Sequence, residues 1–321
     1  MTFSAKVKEE LAKKTDGARH CQLAEFLALM SLLGKISDNE YTSEGSNLAL
    51  EFTTENELVA DRFLYLLDTL FNIREGSRAV RKCIPRDKQI SILILDEKEI
   101  VKIMMALKWC DDEFNSIETT FADGRIVAKE CCKKAFIRGA FLATGSVSDP
   151  SKYYHYEIVC PYEEDAEVLK SMLVFFGLDA KIVERKASFI VYLKEGNNIT
   201  DALNLMGACV SQMDMVNIMI LKDMRNNVNR RVNCETANLN KTVAAAVKQV
   251  ADIEFIERTV GLDYLNPTLS EIAYLRLANQ DTNLAELGAM LDPPVGKSGV
   301  NHRLRRISEI AEELRISRGE R

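Results

Sequence analysis

The chain has 321 residues, 47% hydrophobic and 28% charged, ordinary proportions for a protein long enough to hold two separate cores. No apolar run reaches the roughly 18 residues that span a bilayer, which excludes an integral membrane helix. The formal net charge of −6 is unevenly spread: residues 222–321 hold fifteen Lys and Arg against fourteen Asp and Glu, and residues 1–221 hold twenty-seven against thirty-four. Phosphate attraction is the main sequence-independent term in DNA binding. The C-terminal third is therefore favoured as a surface for double-stranded DNA, and the acidic remainder points to another partner, a regulatory protein or a ligand.

The opening segment, MTFSAKVKEELAKK, reads as an amphipathic charged helix. It lacks the apolar core and cleavage site of a secretory signal, so a cytoplasmic protein is expected. Eight cysteines, at positions 21, 83, 110, 131, 132, 160, 209 and 234, include no C-x-x-C pair. The vicinal Cys131 and Cys132 are poorly placed to ligate one zinc together. The spacing predicts mostly buried thiols in a reducing compartment, with no disulfide, metal or cofactor.

Residues 1–221 contain a duplication at an offset of 111, with repeats at about 20–110 and 131–210. Gly34-Lys-Ile-Ser-Asp38 matches Gly145-Ser-Val-Ser-Asp149, and in the preceding helices Ala24 aligns with Ala135, Phe26 with Ile137 and Ala28 with Gly139. Small residues four apart let two backbones approach, so the duplicated helices are expected to pair about a pseudo-two-fold axis. Strands follow at 47–53 and 154–160, helices at 55–71 and 163–176, strands at 78–84 with 89–95 and 179–185 with 188–193, and closing helices at 97–109 and 197–210. Each repeat thus reads α-β-α-β-β-α, an α+β domain.

Helix–glycine repeats paired through small residues resemble the LAGLIDADG homing endonucleases. In that family the acid just before each motif's final glycine binds the catalytic metal ions, and the matching positions here are Leu33 and Thr144. The resemblance implies the fold, a duplicated LAGLIDADG-type domain, without its central carboxylates and so without nuclease activity. Asp38 and Asp149, four residues beyond the glycines, are expected to cap or terminate the helices; a residual metal-dependent nuclease would need them as a relocated pair.

Residues 222–260 read as a basic helical linker: KDMRNNVNRRVNCETANLNK, then Val243, Val247, Val250 and Ile253 at helical spacing. Its polar face is either solvated or a second DNA contact, with Arg225, Arg230 and Arg231 on phosphate and Asn229 or Asn233 near a base or groove wall. Residues 261–321 read as an all-α helix-turn-helix domain. Asn266 and Pro267 start a helix that buries Leu269, Ile272, Ala273 and Leu277. Leu284, Leu287 and Leu291 mark the next, where Gly288 leaves room for a helix to cross closely, and Asp292-Pro293-Pro294 stops it. The last helix buries Val300, Leu304, Ile307, Ala311 and Leu314. Opposite that stripe lie Ser298, His302 and Arg305, flanked by Lys297, Asn301, Arg303 and Arg306. Such a helix suits a major groove, where arginine grips guanine, asparagine adenine and other cations phosphate.

A degenerate endonuclease-like domain followed by a helix-turn-helix is the architecture of the WhiA family of bacterial regulators, and the chain resembles that family over nearly its whole length. Cys131-Cys-Lys-Lys-Ala-Phe-Ile-Arg-Gly-Ala-Phe-Leu-Ala-Thr-Gly-Ser146 looks like its central signature, and Asp292-Pro-Pro-Val-Gly-Lys-Ser-Gly-Val-Asn-His-Arg-Leu-Arg-Arg306 like its C-terminal one. The resemblance also places an Arg-Asn-Asn…Asn-Arg-Arg…Asn-Cys-Glu pattern in the linker. It implies a DNA-binding transcription factor, nucleoid-associated and connected with sporulation in some bacteria and with cell division or chromosome segregation in others. An interaction scaffold, with the acidic domain as the binding part, is the competing reading.

Overall fold

The Thr2 hydroxyl accepts the Ala5 amide at 3.2 Å and opens α1 (Phe3–Ala12), whose inner face is Val7 and Leu11. The computed structural model describes residues 1–15, 17–38, 48–84, 89–110 and 124–319, in two units, Met1–Asp223 and Met224–Arg321.

In the first unit α2 (Arg19–Leu33) buries Ala24 and every residue from Phe26 through Met30, an unbroken run that leaves no solvent face in mid-helix and places it inside the core. It runs straight into β1 (Gly34–Asp38), followed by β2 (Leu48–Thr54), α3 (Glu57–Phe71), β3 (Val80–Ile84), β4 (Gln89–Ile94) and α4 (Glu97–Leu107). The second repeat copies this order: α5 (Glu130–Thr144), β5 (Gly145–Val147), β6 (Tyr156–Cys160), α6 (Glu163–Phe175), β7 (Lys181–Arg185), β8 (Ser188–Leu193) and α7 (Gly196–Met206). Each repeat makes one antiparallel sheet, in the orders β1-β2-β4-β3 and β5-β6-β8-β7.

Each repeat therefore carries one strand more than the predicted α-β-α-β-β-α. The reason is local. Gly34 and Gly145 are both the last helical cap and the first strand residue, with extended backbones (φ −90° and −76°). A Cβ at Gly34 would lie 2.6 Å from the Met30 carbonyl oxygen and one at Gly145 2.6 Å from the Phe141 Cα, so glycine lets helix become strand without a loop. Asp38 accordingly ends a strand rather than a helix; its side chain lies outside the described residues. Asp149 follows β5 and caps a turn, accepting the Ser151 amide at 2.9 Å.

The two repeats meet along α2 and α5. A Cβ on Gly139 would lie 2.6 Å from the Glu25 carbonyl oxygen and 3.0 Å from the Ala28 Cβ, which is the close approach expected of the small residues. Phe26, Phe63 and Phe52 stack in series beneath one sheet (ring centroids 5.2 and 3.8 Å apart), and Phe141 stacks on Tyr156 beneath the other (5.2 Å).

One helix, α8 (Cys209–Thr259), carries the chain out of the first unit and through the start of the second. Its start is held by Glu10 of α1, which accepts the Val210 and Ser211 amides at 2.8 and 2.9 Å. The second unit adds α9 (Pro267–Ala278), α10 (Leu284–Ala289) and α11 (Lys297–Arg318). Among the described residues no helix is long and apolar enough to cross a membrane.

Candidate nucleic-acid interface

The core of the second unit fixes which way α11 faces. Val300, Leu304, Ile307 and Ala311 are fully buried against Leu269, Ile272, Ala273 and Leu287, and Leu314 packs at the edge. At about 100° per residue, the opposite face carries Ser298, His302 and Arg305, with Asn301 at its flank. All four are exposed, as are Lys297 and Arg306 to either side, whereas Arg303 sits nearer the core and is half-buried.

The turn that aims this helix is built from backbone. The Asn283 side chain accepts the Ala285 and Glu286 amides (3.0 and 3.1 Å) to start α10, as Asn266 accepts the Leu269 amide (2.9 Å) to start α9. Val295 donates its amide to the Gly288 carbonyl at 2.9 Å, and a Cβ on Gly288 would lie 1.9 Å from the Val295 carbonyl oxygen. Gly288 thus makes room for the turn folding back and also for α11, whose Val300 Cγ2 would lie 3.0 Å from the same Cβ, the close helix approach the sequence suggested. The buried Arg276 of α9 donates to the Thr282 carbonyl (2.6 Å) and locks the loop before α10. At the far end of α11, Arg315 meets Asp252 of α8 at 2.8 Å and lies 4.7 Å from the Phe255 ring. A cleft of about 780 Å³ opens beside the first turn of α11, with Lys297, Asn301, Asn283, Arg276, Lys241 and Gln249 on its walls.

Electrostatics at the exposed face centre on one acid. Glu309 lies 3.4 Å from Arg305 and 2.8 Å from Arg306. The Arg306 guanidinium, hydrogen-bonded to it, holds the Glu309 carboxyl below the ordinary carboxylate range, and Glu309 in turn raises Arg306. A phosphate approaching either arginine must displace or share this partner.

The linker arginines are exposed but do not share one face. On a continuous helix Arg225, Asn229, Asn233 and Arg230 fall within an arc of about 140°, while Arg231 points to the other side. There it meets Glu235 at 3.1 Å. The valine stripe is buried only at its end: Val243 and Val247 are exposed, Val250 is half-buried and Ile253 is fully buried, joined in the core by Phe255 and Ile256.

In the first unit, the residues at the positions of the endonuclease acids take structural roles. Leu33 packs against the core, and the Thr144 hydroxyl donates to the Val159 carbonyl at 2.7 Å. Two sets of residues escaped the sequence reading. Glu25 is buried between Arg62 and Arg138, bonding each through two nitrogens at 2.7–3.1 Å. Four of the eight cysteines (Cys83, Cys131, Cys209 and Cys234) are exposed, against the expected mostly buried set, and the fold brings His20 and Cys21 beside Cys131 and Cys132. The signal was present: the repeat offset of 111 carries His20 onto Cys131 and Cys21 onto Cys132.

Comparison with known proteins agrees with this architecture. The model of the WhiA C-terminal HTH domain matches residues 228–311 and that of the WhiA LAGLIDADG-like domain residues 133–225. "Probable cell division protein WhiA" of Lachnospira eligens is 59% identical over 99% of both chains, and the protein of the same name from Lachnoclostridium phytofermentans is 46% identical over 98% of this chain and 100% of its own. The crystal structure of full-length DUF199/WhiA from Thermatoga maritima superposes with a TM-score of 0.56 at 26% identity, covering 98% of this chain and 99% of that one. With a LAGLIDADG-like fold followed by a helix-turn-helix, and relatives matched from end to end, the chain belongs to the WhiA family.

Proposed function

We propose that this protein is a sequence-specific DNA-binding transcriptional regulator, acting in cell division or chromosome segregation, or in sporulation, without nuclease activity. One observation carries the reading: α11 spends its apolar stripe on its own core and leaves Lys297, Ser298, Asn301, His302, Arg305 and Arg306 on the exposed face. In that arrangement His302 and Arg305 read base edges, Asn301 and Ser298 support them, and Lys297, Arg303 and Arg306 hold phosphate. Arg225 and Arg230, with Asn229 and Asn233 between them, form a second backbone contact, while Arg231 remains with Glu235. The relatives' name supports the link to cell division. Leu33 and Thr144, at the positions of the endonuclease acids, support the absence of cleavage. The acidic first unit receives a regulatory protein or ligand, and the protein resides in the cytoplasm on the nucleoid.

The test is a gel-shift series on the operator recovered by genome-wide binding-site mapping, compared with random duplex, in magnesium. His302→Ala and Arg305→Ala should each lose about 1–3 kcal/mol on the operator and little on random DNA. Lys297→Ala should weaken both equally and flatten the salt dependence. Equal losses on both duplexes for all three variants, or cleavage of either duplex, would overturn the reading.

A further inference from the structure

The first unit holds a cluster that the DNA-binding reading does not use. His20 and Cys21 lie in the first turn of α2, and Cys131 and Cys132 occupy the same two positions in the first turn of α5. One ligand atom from each of the four residues can be chosen so that all lie within 4.8 Å of one another. His20 Nδ1 lies 3.3 Å from the sulfurs of both Cys21 and Cys132. We infer that His20, Cys21, Cys131 and Cys132 form a zinc site that staples the two repeats together on their pseudo-two-fold axis.

The geometry fits that ion. Zinc–sulfur bonds of about 2.3 Å and zinc–nitrogen bonds of about 2.0 Å give tetrahedral edges of roughly 3.5–3.8 Å. The observed separations bracket those edges, so small side-chain rotations close the site. Three thiols and one imidazole suit zinc, and the set offers no oxygen to a hard cation such as magnesium or calcium. The vicinal pair is no obstacle here. Each helix contributes two neighbouring residues from its own side of the axis, and the four together enclose the ion where one Cys-Cys pair alone would not. Both helices point their N-terminal ends at the cluster, and neither N-cap, Ala18 nor Lys129, makes a side-chain hydrogen bond there. Cys21 and Cys132 are buried while His20 and Cys131 are exposed, which leaves an entry path. Zinc entering would release the three thiol protons to solvent and leave a closed, four-coordinate site. The site stands at the opposite end of the helix pair from Leu33 and Thr144, about 18 Å along α2 at 1.5 Å per residue. It is therefore a structural site in a different place from the lost catalytic one.

The experiment uses the full chain, purified in reductant without chelator. Elemental analysis should find close to one zinc per chain. Cobalt(II) added to the metal-free protein should give the intense thiolate-to-cobalt absorption and weaker visible bands of a tetrahedral site. The exposed Cys131→Ser should lose a large part of the charge-transfer band and bind zinc at least tenfold more weakly, with an unchanged far-ultraviolet spectrum. Cys83→Ser and Cys234→Ser, outside the cluster, should keep both signals. Zinc should raise the melting temperature of the metal-free wild type and not that of Cys132→Ser. Zinc well below stoichiometric after reconstitution, a cobalt spectrum unaltered by Cys131→Ser, or a Cys21–Cys132 disulfide in the protein as isolated would each overturn the assignment.

Discussion

Glu25 is a charged group with no exposure, and its carboxylate is shared by two guanidinium groups from different elements, Arg62 of α3 and Arg138 of α5. Removing the shared carboxylate leaves two buried guanidinium charges without their counter-ion. Glu25→Ala should therefore cost about 3–5 kcal/mol in denaturant unfolding, far more than a surface ion pair. A loss below about 1 kcal/mol would show that the arginines find water or new partners. Burial also raises the Asp165 carboxyl to about 6. An acid whose folded pKa is raised binds extra protons in the native state between its unfolded pKa, near 4, and about 6, so its stability contribution falls as pH rises through that window. Asp165→Asn should thus melt higher than the wild type at pH 7, with the difference shrinking towards pH 4. A difference constant across that range would contradict the assignment. On α11, Glu309 competes with phosphate for Arg306, so Glu309→Ala should tighten binding to random duplex several-fold at low salt. Unchanged affinity would mean that Arg306 does not meet the backbone.

The paired helices and the helix-turn-helix are held by small residues at points of close approach, and these were the most legible parts of the sequence. Ala28 and Gly139 announced the contact between α2 and α5 because only spacing and size decide it. Asn266-Pro267 and the leucine repeat placed α9 and α10 through capping and periodicity, which are local rules. The strands β1 and β5 were not legible. Gly34 and Gly145 resemble helix stops, and that the next residues pair with β2 and β6 is settled by partners nine to eighteen residues away. The Glu25 set was hidden for the same reason, its arginines lying 37 and 113 positions away, whereas the His20/Cys21 and Cys131/Cys132 pairs are superposed by the repeat offset of 111 and could have been read. Gly288→Ala should test the turn that aims α11. With a Cβ aimed at the Val295 carbonyl oxygen, it should lower the melting of residues 224–321 and weaken DNA binding while leaving the first unit's transition in place. An unchanged melting profile would mean that the turn shifts without cost.

The two units differ in charge as well as in core. The first carries the acidic excess, and the second carries the cations that face outward from α11 and α8. The proposed division of labour is that the second unit meets the duplex and the first governs when or how it does so. Gel-shift titration at one fixed salt concentration, comparing full-length protein with fragments 222–321 and 1–221, separates the two contributions. Fragment 222–321 should keep most of the duplex affinity, and fragment 1–221 should bind weakly against its own negative field. If fragment 1–221 instead bound duplex as tightly as the full chain, the endonuclease-like unit would be the DNA site and the assignment of α11 would fail.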